Sequence, residues 1–311
     1  MKSSASTSSI RPVAGLTLGI LAVSTASIFI RFAQAAAPSL VIAAYRLTLA
    51  SLLLLPVAWI RHRAELRSLR GQDLVLALLS GIFLAFHFAT WITSLQYTTV
   101  ASSVVLVTTT PLWVALISPF TLKEPLARLV RYGMGLALAG SIVVGLSDTC
   151  AWSAAGLACP SITSLLRGGA FLGDFLALVG AIMAAAYILI GRRLRAGISL
   201  IPYITIVYGM AAATLLVLTL TASEPLLGYP PVTYLWFLLL AVIPQLLGHS
   251  TFNWALRYVS AAYVSITLLG EPIGSTILAY FILKETPTAL KIFGAILILV
   301  GIYLASRSAE K

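Results

Sequence analysis

The sequence predicts an all-α integral membrane protein with ten transmembrane helices, arranged as two inverted five-helix repeats. Three observations predict this fold class: an apolar composition, ten apolar stretches of membrane-spanning length, and an internal duplication. Hydrophobic residues make up 60% of the 311 positions and charged residues only 9%, and the mean hydropathy is +1.02. A soluble domain carries about 25% charged residues, so most of this surface must face lipid or other helices.

The ten spans follow one another with short gaps that are mostly polar or contain proline. A bilayer core of about 30 Å needs about 20 apolar residues per helix, which is close to the length of each stretch. The spans are predicted near residues 13–34, 38–60, 74–95, 100–120, 130–147, 170–190, 200–221, 232–251, 260–282 and 288–306. No gap has room for a soluble domain.

The net charge of +11 is distributed by side of the membrane. With the N-terminus inside, 15 of the 20 Lys and Arg residues fall on the cytoplasmic side, four fall on the other side and Arg46 lies within span 2. This asymmetry is typical of the positive-inside rule, which counts basic residues near the ends of spans. We therefore expect a multi-pass protein of the bacterial inner membrane with both termini in the cytoplasm, and no nucleic-acid partner.

The duplication appears when the sequence is shifted by 161 positions. The identities in the first half are Leu95, Tyr97, Ala101, Pro111, Phe120, Leu122, Lys123, Glu124, Leu129, Gly133, Leu136 and Gly140, and each recurs 161 positions later. They predict one repeat over 13–147 and a second over 170–306. Because each repeat has five spans, the second must enter the membrane in the opposite orientation. Inverted repeats are characteristic of secondary transporters, whose substrate site lies near the midplane between the repeats.

Several motifs carry a family resemblance over about residues 13–306. They are Pro38 with the apolar run to Tyr45-Arg46, the stretch from His87 through Trp91 to Leu95-Gln96-Tyr97, Leu122-Lys123-Glu124, Asn253 to Tyr258, Glu271-Pro272 and Leu283-Lys284-Glu285. The pattern resembles the drug/metabolite transporter superfamily, in particular its ten-span exporters with paired EamA domains. Within that group it is most similar to the aromatic and neutral amino acid exporters. The resemblance implies export of amino acids, related metabolites or cationic drugs without ATP.

Two ionisable residues lie inside spans. Insertion of such a side chain costs about 2.5–3.5 kcal/mol, so we expect each to have a structural or functional role. Arg46 lies near the middle of span 2, and Glu271 lies within span 9 directly before Pro272. One interpretation is an ion pair between Glu271 and Arg46 that holds helices together. The other is contact of Glu271 with a substrate ammonium group or a proton. Thr267 and Tyr263 precede Glu271 by four and eight residues and would share its helical face.

Further candidates lie in spans 3, 4 and 8. His87 and Trp91 share a face of span 3, as His249 and Asn253 do with Gln245 in span 8. The two histidines are nearly equivalent under the repeat, which favours a role in lining a cavity over simple hydrogen bonding between helices. Thr109 lies in a threonine run before Pro111, where the hydroxyls either face the cavity or bond their own helix. Glycines such as Gly133, Gly140, Gly294 and Gly301 indicate close helix packing.

The combined prediction is a secondary transporter that works by alternating access. Its substrate-binding residues would be His87, Trp91, Thr109, His249, Asn253, Tyr263 and Thr267, with Glu271 and Arg46 as a coupling site or ion pair. An aromatic, sparsely charged lining suits neutral or aromatic amino acids, because aromatic faces attract ammonium groups. Protons are the candidate coupling ion. The alternatives are an exchanger of nucleotide sugars or phosphate esters, an exporter of cationic drugs, and a lipid flippase.

Enzyme and cofactor motifs are missing from the sequence. It contains no GxSxG, HExxH, close carboxylate pair or GxxxxGK[ST], and its two Cys and three His match no metal-ligand spacing. We therefore expect neither an enzyme nor a cofactor. Cys150 and Cys159 fall in the longest outward loop, where they either form a disulfide or remain free thiols.

Overall fold

The computed structural model describes residues 6–121, 128–147, 151–153, 156–158 and 168–307. In the first half, span 1 comprises Ser6–Ser24 and Ala26–Gln34, span 2 Ser39–Arg61, span 3 Gly71–Tyr97, span 4 Val100–Val107 and Thr110–Thr121, and span 5 Arg128–Ser147. In the second half, span 6 is Gly169–Arg195, span 7 Leu200–Thr221, span 8 Pro231–Leu240, Ala241–His249 and Ser250–Ala255, span 9 Ala261–Thr267, Gly270–Leu278 and Ala279–Leu283, and span 10 Ala289–Arg307.

The helical bundle formed by the described residues confirms the predicted all-α fold class. Within the described ranges, eight spans are long and apolar enough to cross a membrane. Spans 5 and 10 contain the shorter apolar stretches Arg131–Val144 and Ala289–Gly301. Proline sets some of the starts: Pro38 directly precedes span 2, and Pro231 is the first residue of span 8. A proline costs little there, because the first amides of a helix have no partner within the helix.

Two small elements lie outside the spans. A short helix, Arg63–Ser68, links spans 2 and 3. Between spans 5 and 6, strands β1 (Ala151–Ser153) and β2 (Gly156–Ala158) form an antiparallel hairpin, which hydropathy did not predict. Cys150, Cys159, Lys123 and Glu124 lie outside the described residues. We call the end of the bundle that carries the link between spans 2 and 3 the basic face, and the other end the opposite face.

Contacts between spans follow the internal repeat. Span 3 packs along span 6, and the counterpart pair, span 8 and span 1, is also in contact. Spans 2 and 7, spans 4 and 9, and spans 5 and 10 each pack against their own counterpart. If each span is replaced by its counterpart in the other half, the same set of contacts results. This symmetry is expected for inverted repeats.

The four repeated glycines lie where spans 5 and 10 meet. A Cβ on Gly140 would come within 2.6 Å of the Gly294 carbonyl oxygen, and a Cβ on Gly301 within 2.5 Å of the Gly133 carbonyl oxygen. The shift of 161 converts one of these contacts into the other, because Gly133 corresponds to Gly294 and Gly140 to Gly301. The prediction that these glycines allow close packing is confirmed.

Spans 4 and 9 are interrupted at positions that differ by one residue under the shift of 161. Span 4 breaks between Val107 and Thr110, and span 9 breaks between Thr267 and Gly270. Each break precedes one of the paired prolines, Pro111 and Pro272, whose missing amide hydrogens leave the preceding turn without a complete set of hydrogen bonds. Both breaks lie beside the cavity described next.

Candidate functional site

A cavity lies between the two halves, and its empty space, including the mouth, is about 580 Å³. Spans 3, 4, 6, 8 and 9 line it, so each half contributes to its wall. The lining residues are His87, Trp91, Val107, Thr108, Thr110, Ala184, Tyr187, Ile188, His249, Phe252, Asn253, Leu256, Val264, Leu268 and Glu271. Among the described residues, no Lys or Arg lines this cavity, and Glu271 is the one carboxylate on its wall.

Five of the residues that the sequence singled out meet at this cavity: His87, Trp91, His249, Asn253 and Glu271. The prediction used the spacing along single helices together with the near-equivalence of the two histidines. The fold brings these residues together from spans 3, 8 and 9. Their role in binding a substrate remains a prediction.

Three other candidates do not lie on the cavity wall. The Thr109 hydroxyl donates to the Leu106 carbonyl oxygen at 2.7 Å, whereas its neighbours Thr108 and Thr110 line the cavity. Tyr263 and Thr267 were expected to share a face with Glu271, but span 9 breaks between Thr267 and Gly270. The helical spacing is lost across that break, and Val264 and Leu268 line the cavity instead.

Gln245 was also expected on the face of His249 and Asn253, but it is fully buried outside the cavity wall. Gln245 lies in the π-helical segment Ala241–His249, where hydrogen bonds span five residues instead of four. Its Oε1 accepts a hydrogen bond from Arg46 Nε in span 2.

His87 is held in a defined orientation. Its Nδ1 lies 3.0 Å from the carbonyl oxygen of Gly180 in span 6, and its ring stacks on Trp91 with centroids 5.9 Å apart. Because a carbonyl oxygen only accepts, Nδ1 carries the hydrogen of this bond. The ring centroid of His249 lies 6.3 Å from that of His87, so the two near-equivalent histidines face each other.

Asn253 connects the cavity to a buried set of tyrosines that the sequence analysis did not identify. Its Nδ2 donates to the hydroxyl of Tyr187, to that of Tyr208 at 3.3 Å and to the carbonyl oxygen of His249 at 2.9 Å. The Tyr208 hydroxyl lies 3.2 Å from Ser250 Oγ. Tyr187 lines the cavity from span 6. The sequence marks it only as a tyrosine in an alanine-rich part of that span.

Glu271 and Arg46 do not form a direct ion pair. Among the described residues the ion pairs are Arg31 with Glu285 at 3.4 Å and His62 with Glu65 at 3.5 Å. Glu271 is 8% exposed, and its carboxylate accepts no hydrogen bond from the described part of the chain.

Arg46 is fully buried in span 2. Its Nε donates to Gln245 Oε1 at 2.8 Å, and its guanidinium carbon lies 4.1 Å from the centroid of the Phe88 ring. Its terminal nitrogens Nη1 and Nη2 find no hydrogen-bond partner among the described residues. The Phe88 centroid is in turn 5.2 Å from that of His249, so one aromatic ring separates Arg46 from a cavity-lining side chain.

At the opposite face, polar contacts join the two halves. Arg31 Nη2 in span 1 donates to the Thr98 carbonyl oxygen at 2.8 Å and to Glu285 Oε1 at 3.4 Å. Glu285 Oε2 accepts the amide hydrogen of Val100, the first residue of span 4, at 2.9 Å. Lys291 Nζ donates to Thr99 Oγ1 at 2.8 Å. Together these bonds form the opposite-face contact, which ties the link between spans 9 and 10 to the first half.

Comparisons with known proteins agree with this architecture. The model of the EamA-like transporter family matches residues 12–146 and again residues 171–307. A protein of Archaeoglobus fulgidus named "Uncharacterized transporter" is 23% identical over 274 residues, which are 85% of this chain and 86% of that protein. A second protein with that name and source is 31% identical over 75 residues, 24% of this chain and 28% of that protein. A solved crystal structure aligns with 97% of this chain and 99% of its own, at 19% identity and a TM-score of 0.64, which shows a shared fold.

Proposed function

The chain belongs to the EamA-like transporter family, and on that premise we propose that it exports neutral amino acids, including large apolar and aromatic ones. It is a multi-pass membrane transporter that carries a small molecule. The proposal concerns which molecule that is, on which side it enters and what drives it.

The observation that carries the proposal is the lining of the cavity. It combines the rings of Trp91, Tyr187 and Phe252 with the two imidazoles and a single carboxylate, Glu271. Aromatic faces and one negative charge attract an ammonium group and an apolar side chain. A nucleotide sugar or a phosphate ester needs clustered Arg or Lys, and the wall formed by the described residues has none.

We assign the basic face to the cytoplasm. It carries the Arg residues of the links between spans 2 and 3 and between spans 6 and 7, in accord with the positive-inside rule. Both chain termini would then be cytoplasmic, in the inner membrane of a bacterium. The opposite face, with Arg31 and Glu285, would be periplasmic.

Alternating access would use the two repeats, 13–147 and 170–306, as the moving units. The opposite-face contact links these units, so the cavity can open toward that face only after the contact breaks. This contact and the contact pattern between counterpart helices support a rocking movement around the cavity.

Protons are the coupling ion in this proposal. Glu271, His87 and His249 supply the carboxylate and the imidazoles of the cavity wall, and the Glu271 carboxylate accepts no hydrogen bond from the described residues. A proton and a substrate ammonium group would compete for this carboxylate, which is one physical basis for exchange.

A ligand screen on the purified protein in detergent tests the substrate class. A ligand that binds only the folded state raises the melting temperature in proportion to the logarithm of its concentration above Kd. Phenylalanine, tryptophan and leucine should stabilise the protein, whereas a nucleotide sugar and a sugar phosphate should not. Stabilisation by the nucleotide sugar with no response to any amino acid would contradict the proposal.

A further inference from the structure

We propose that the buried guanidinium of Arg46 binds the carboxylate of the substrate, while Glu271 binds its ammonium group. The inference rests on the proposed function, because it specifies how an amino acid would be recognised in the same cavity. If Arg46 binds the carboxylate, then a free carboxylate is required for transport. The transporter would then select amino acids over amines and cationic drugs, which the aromatic lining alone would admit.

The first step is the incomplete bonding of Arg46. The side chain is 0% exposed, and one of its donor groups, Nε, is bonded to Gln245. Nη1 and Nη2 are buried and unpartnered among the described residues. A charge removed from water in this way is costly unless an opposite charge and further hydrogen bonds compensate it. The two terminal nitrogens of a guanidinium match the two oxygens of a carboxylate.

The second step is a contrast with the other fully buried arginine. Arg195 is 1% exposed, and it donates from Nε to the Asn253 carbonyl oxygen at 2.9 Å and from Nη1 to the Ile198 carbonyl oxygen. Protein carbonyls therefore account for the burial of Arg195. No such partners account for the terminal nitrogens of Arg46, although both side chains lie in spans of the same bundle.

The third step is the position of Arg46 relative to the cavity. Its guanidinium lies on the face of Phe88, and Phe88 packs against the cavity-lining His249. Gln245, which holds Nε, lies in the π-helical segment of span 8 next to Pro244. Irregular turns of this kind are weak points of a helix and often lie at functional sites. The proposal therefore requires a movement of Phe88 or of this segment that brings the guanidinium into contact with the cavity.

The fourth step is the separation of the two charges. Arg46 and Glu271 do not form a direct ion pair in the described part of the chain. An α-amino acid carries its carboxylate and ammonium on one carbon, so it can bridge two unlike charges that do not touch each other. Each end of the zwitterion then meets the charge that the protein leaves uncompensated.

The experiment compares uptake of phenylalanine, phenylalaninamide and phenylpropionate by proteoliposomes. The variants are wild type, Arg46→Gln and Arg46→Lys, with Arg195→Lys as the matched control. Wild type should prefer phenylalanine over its amide by about tenfold or more, the size expected for hydrogen bonds to a charged group. Arg46→Gln should abolish this preference. Arg46→Lys keeps the charge without the paired donors and should retain only part of it. Arg195→Lys should lower all rates by a common factor.

Equal uptake of phenylalanine and its amide by wild type would overturn the inference. So would an equal loss of both in the Arg46 variants, because a structural role lowers all rates together. If Arg46→Gln does not fold, Arg46→Lys tests the inference in its place, and a ratio of phenylalanine to amide uptake equal to that of wild type would overturn it. If no amino acid is transported but uptake of phenylpropionate depends on Arg46, the proposed function fails and the carboxylate site stands.

Discussion

Gln34 and Arg195 occupy equivalent positions in the two halves and make equivalent hydrogen bonds. Gln34 Nε2 lies 2.8 Å from the Ile92 carbonyl oxygen, and Arg195 Nε lies 2.9 Å from the Asn253 carbonyl oxygen. Donors and acceptors are each separated by 161 positions, the shift that relates the halves. The repeat therefore extends beyond the identities in spans 3–5 to the ends of spans 1 and 6. One bond lies toward the opposite face and the other toward the basic face, as inversion requires.

The packing of spans 5 and 10 predicts an asymmetric response to two neighbouring glycine substitutions. Gly140→Ala should destabilise the protein by about 1–3 kcal/mol, because its Cβ would lie 2.6 Å from a backbone oxygen. Gly135→Ala is the control, since its Cβ would meet nothing within 4 Å. Thermal unfolding in detergent measures both. Equal melting temperatures for the two variants would contradict the close contact.

The opposite-face contact predicts that Glu285→Gln favours opening of the cavity toward that face. The substitution removes the charge that Arg31 and the Val100 amide stabilise. A cysteine at Val264, in a variant without the two native cysteines, should react faster with a membrane-impermeant maleimide added from that face. Lys284→Gln changes an exposed neighbouring charge and should leave the rate unchanged. Slower labelling in Glu285→Gln would contradict the role of this contact.

Proton coupling predicts that Glu271→Gln transports substrate at a rate independent of the pH gradient. Because Glu271 has no direct ion pair with Arg46, the variant should also fold and keep most of its thermal stability. Uptake with and without an imposed gradient measures the first expectation. Glu65→Gln removes a carboxylate that accepts the Ser199 amide at 2.7 Å near the basic face, and it should keep its gradient dependence. A Glu271→Gln protein that still responds to the gradient would exclude this residue as the coupling group.

The position of Trp91 on the cavity wall predicts that the transport rate depends on substrate size. Trp91→Ala should reduce transport of phenylalanine more than transport of alanine. The reason is the loss of an aromatic contact that is worth about 0.5–1.5 kcal/mol. Trp254→Ala removes an indole that packs on Tyr258, with ring centroids 5.1 Å apart, and is not on the cavity wall. The control should not change the ratio of the two rates. An unchanged ratio in Trp91→Ala would remove Trp91 from the binding surface.

The sequence predicted the spans, the inverted repeat and the glycine contact because each depends on hydropathy or on repetition along the chain. It also predicted that His87, Trp91, His249, Asn253 and Glu271 come together, because polar side chains inside apolar spans and the near-equivalence of the two histidines under the repeat marked these positions. It failed for Tyr263 and Thr267, where a break in span 9 changes which residues share a face. It failed also for Gln245, which lies in a π-helical segment and bonds Arg46 instead of lining the cavity. Tyr187 could not be predicted from one helix, since only the packing of span 6 beside span 3 places it at the cavity.

Uptake of labelled phenylalanine by proteoliposomes that contain unlabelled phenylalanine tests the central claim most directly. Exchange through a cavity between two repeats predicts saturable uptake that unlabelled leucine inhibits and that a nucleotide sugar does not. The uptake should fall in Trp91→Ala and be retained in Trp254→Ala. Uptake no faster than in protein-free vesicles, together with saturable exchange of a nucleotide sugar, would contradict the claim that this transporter carries amino acids.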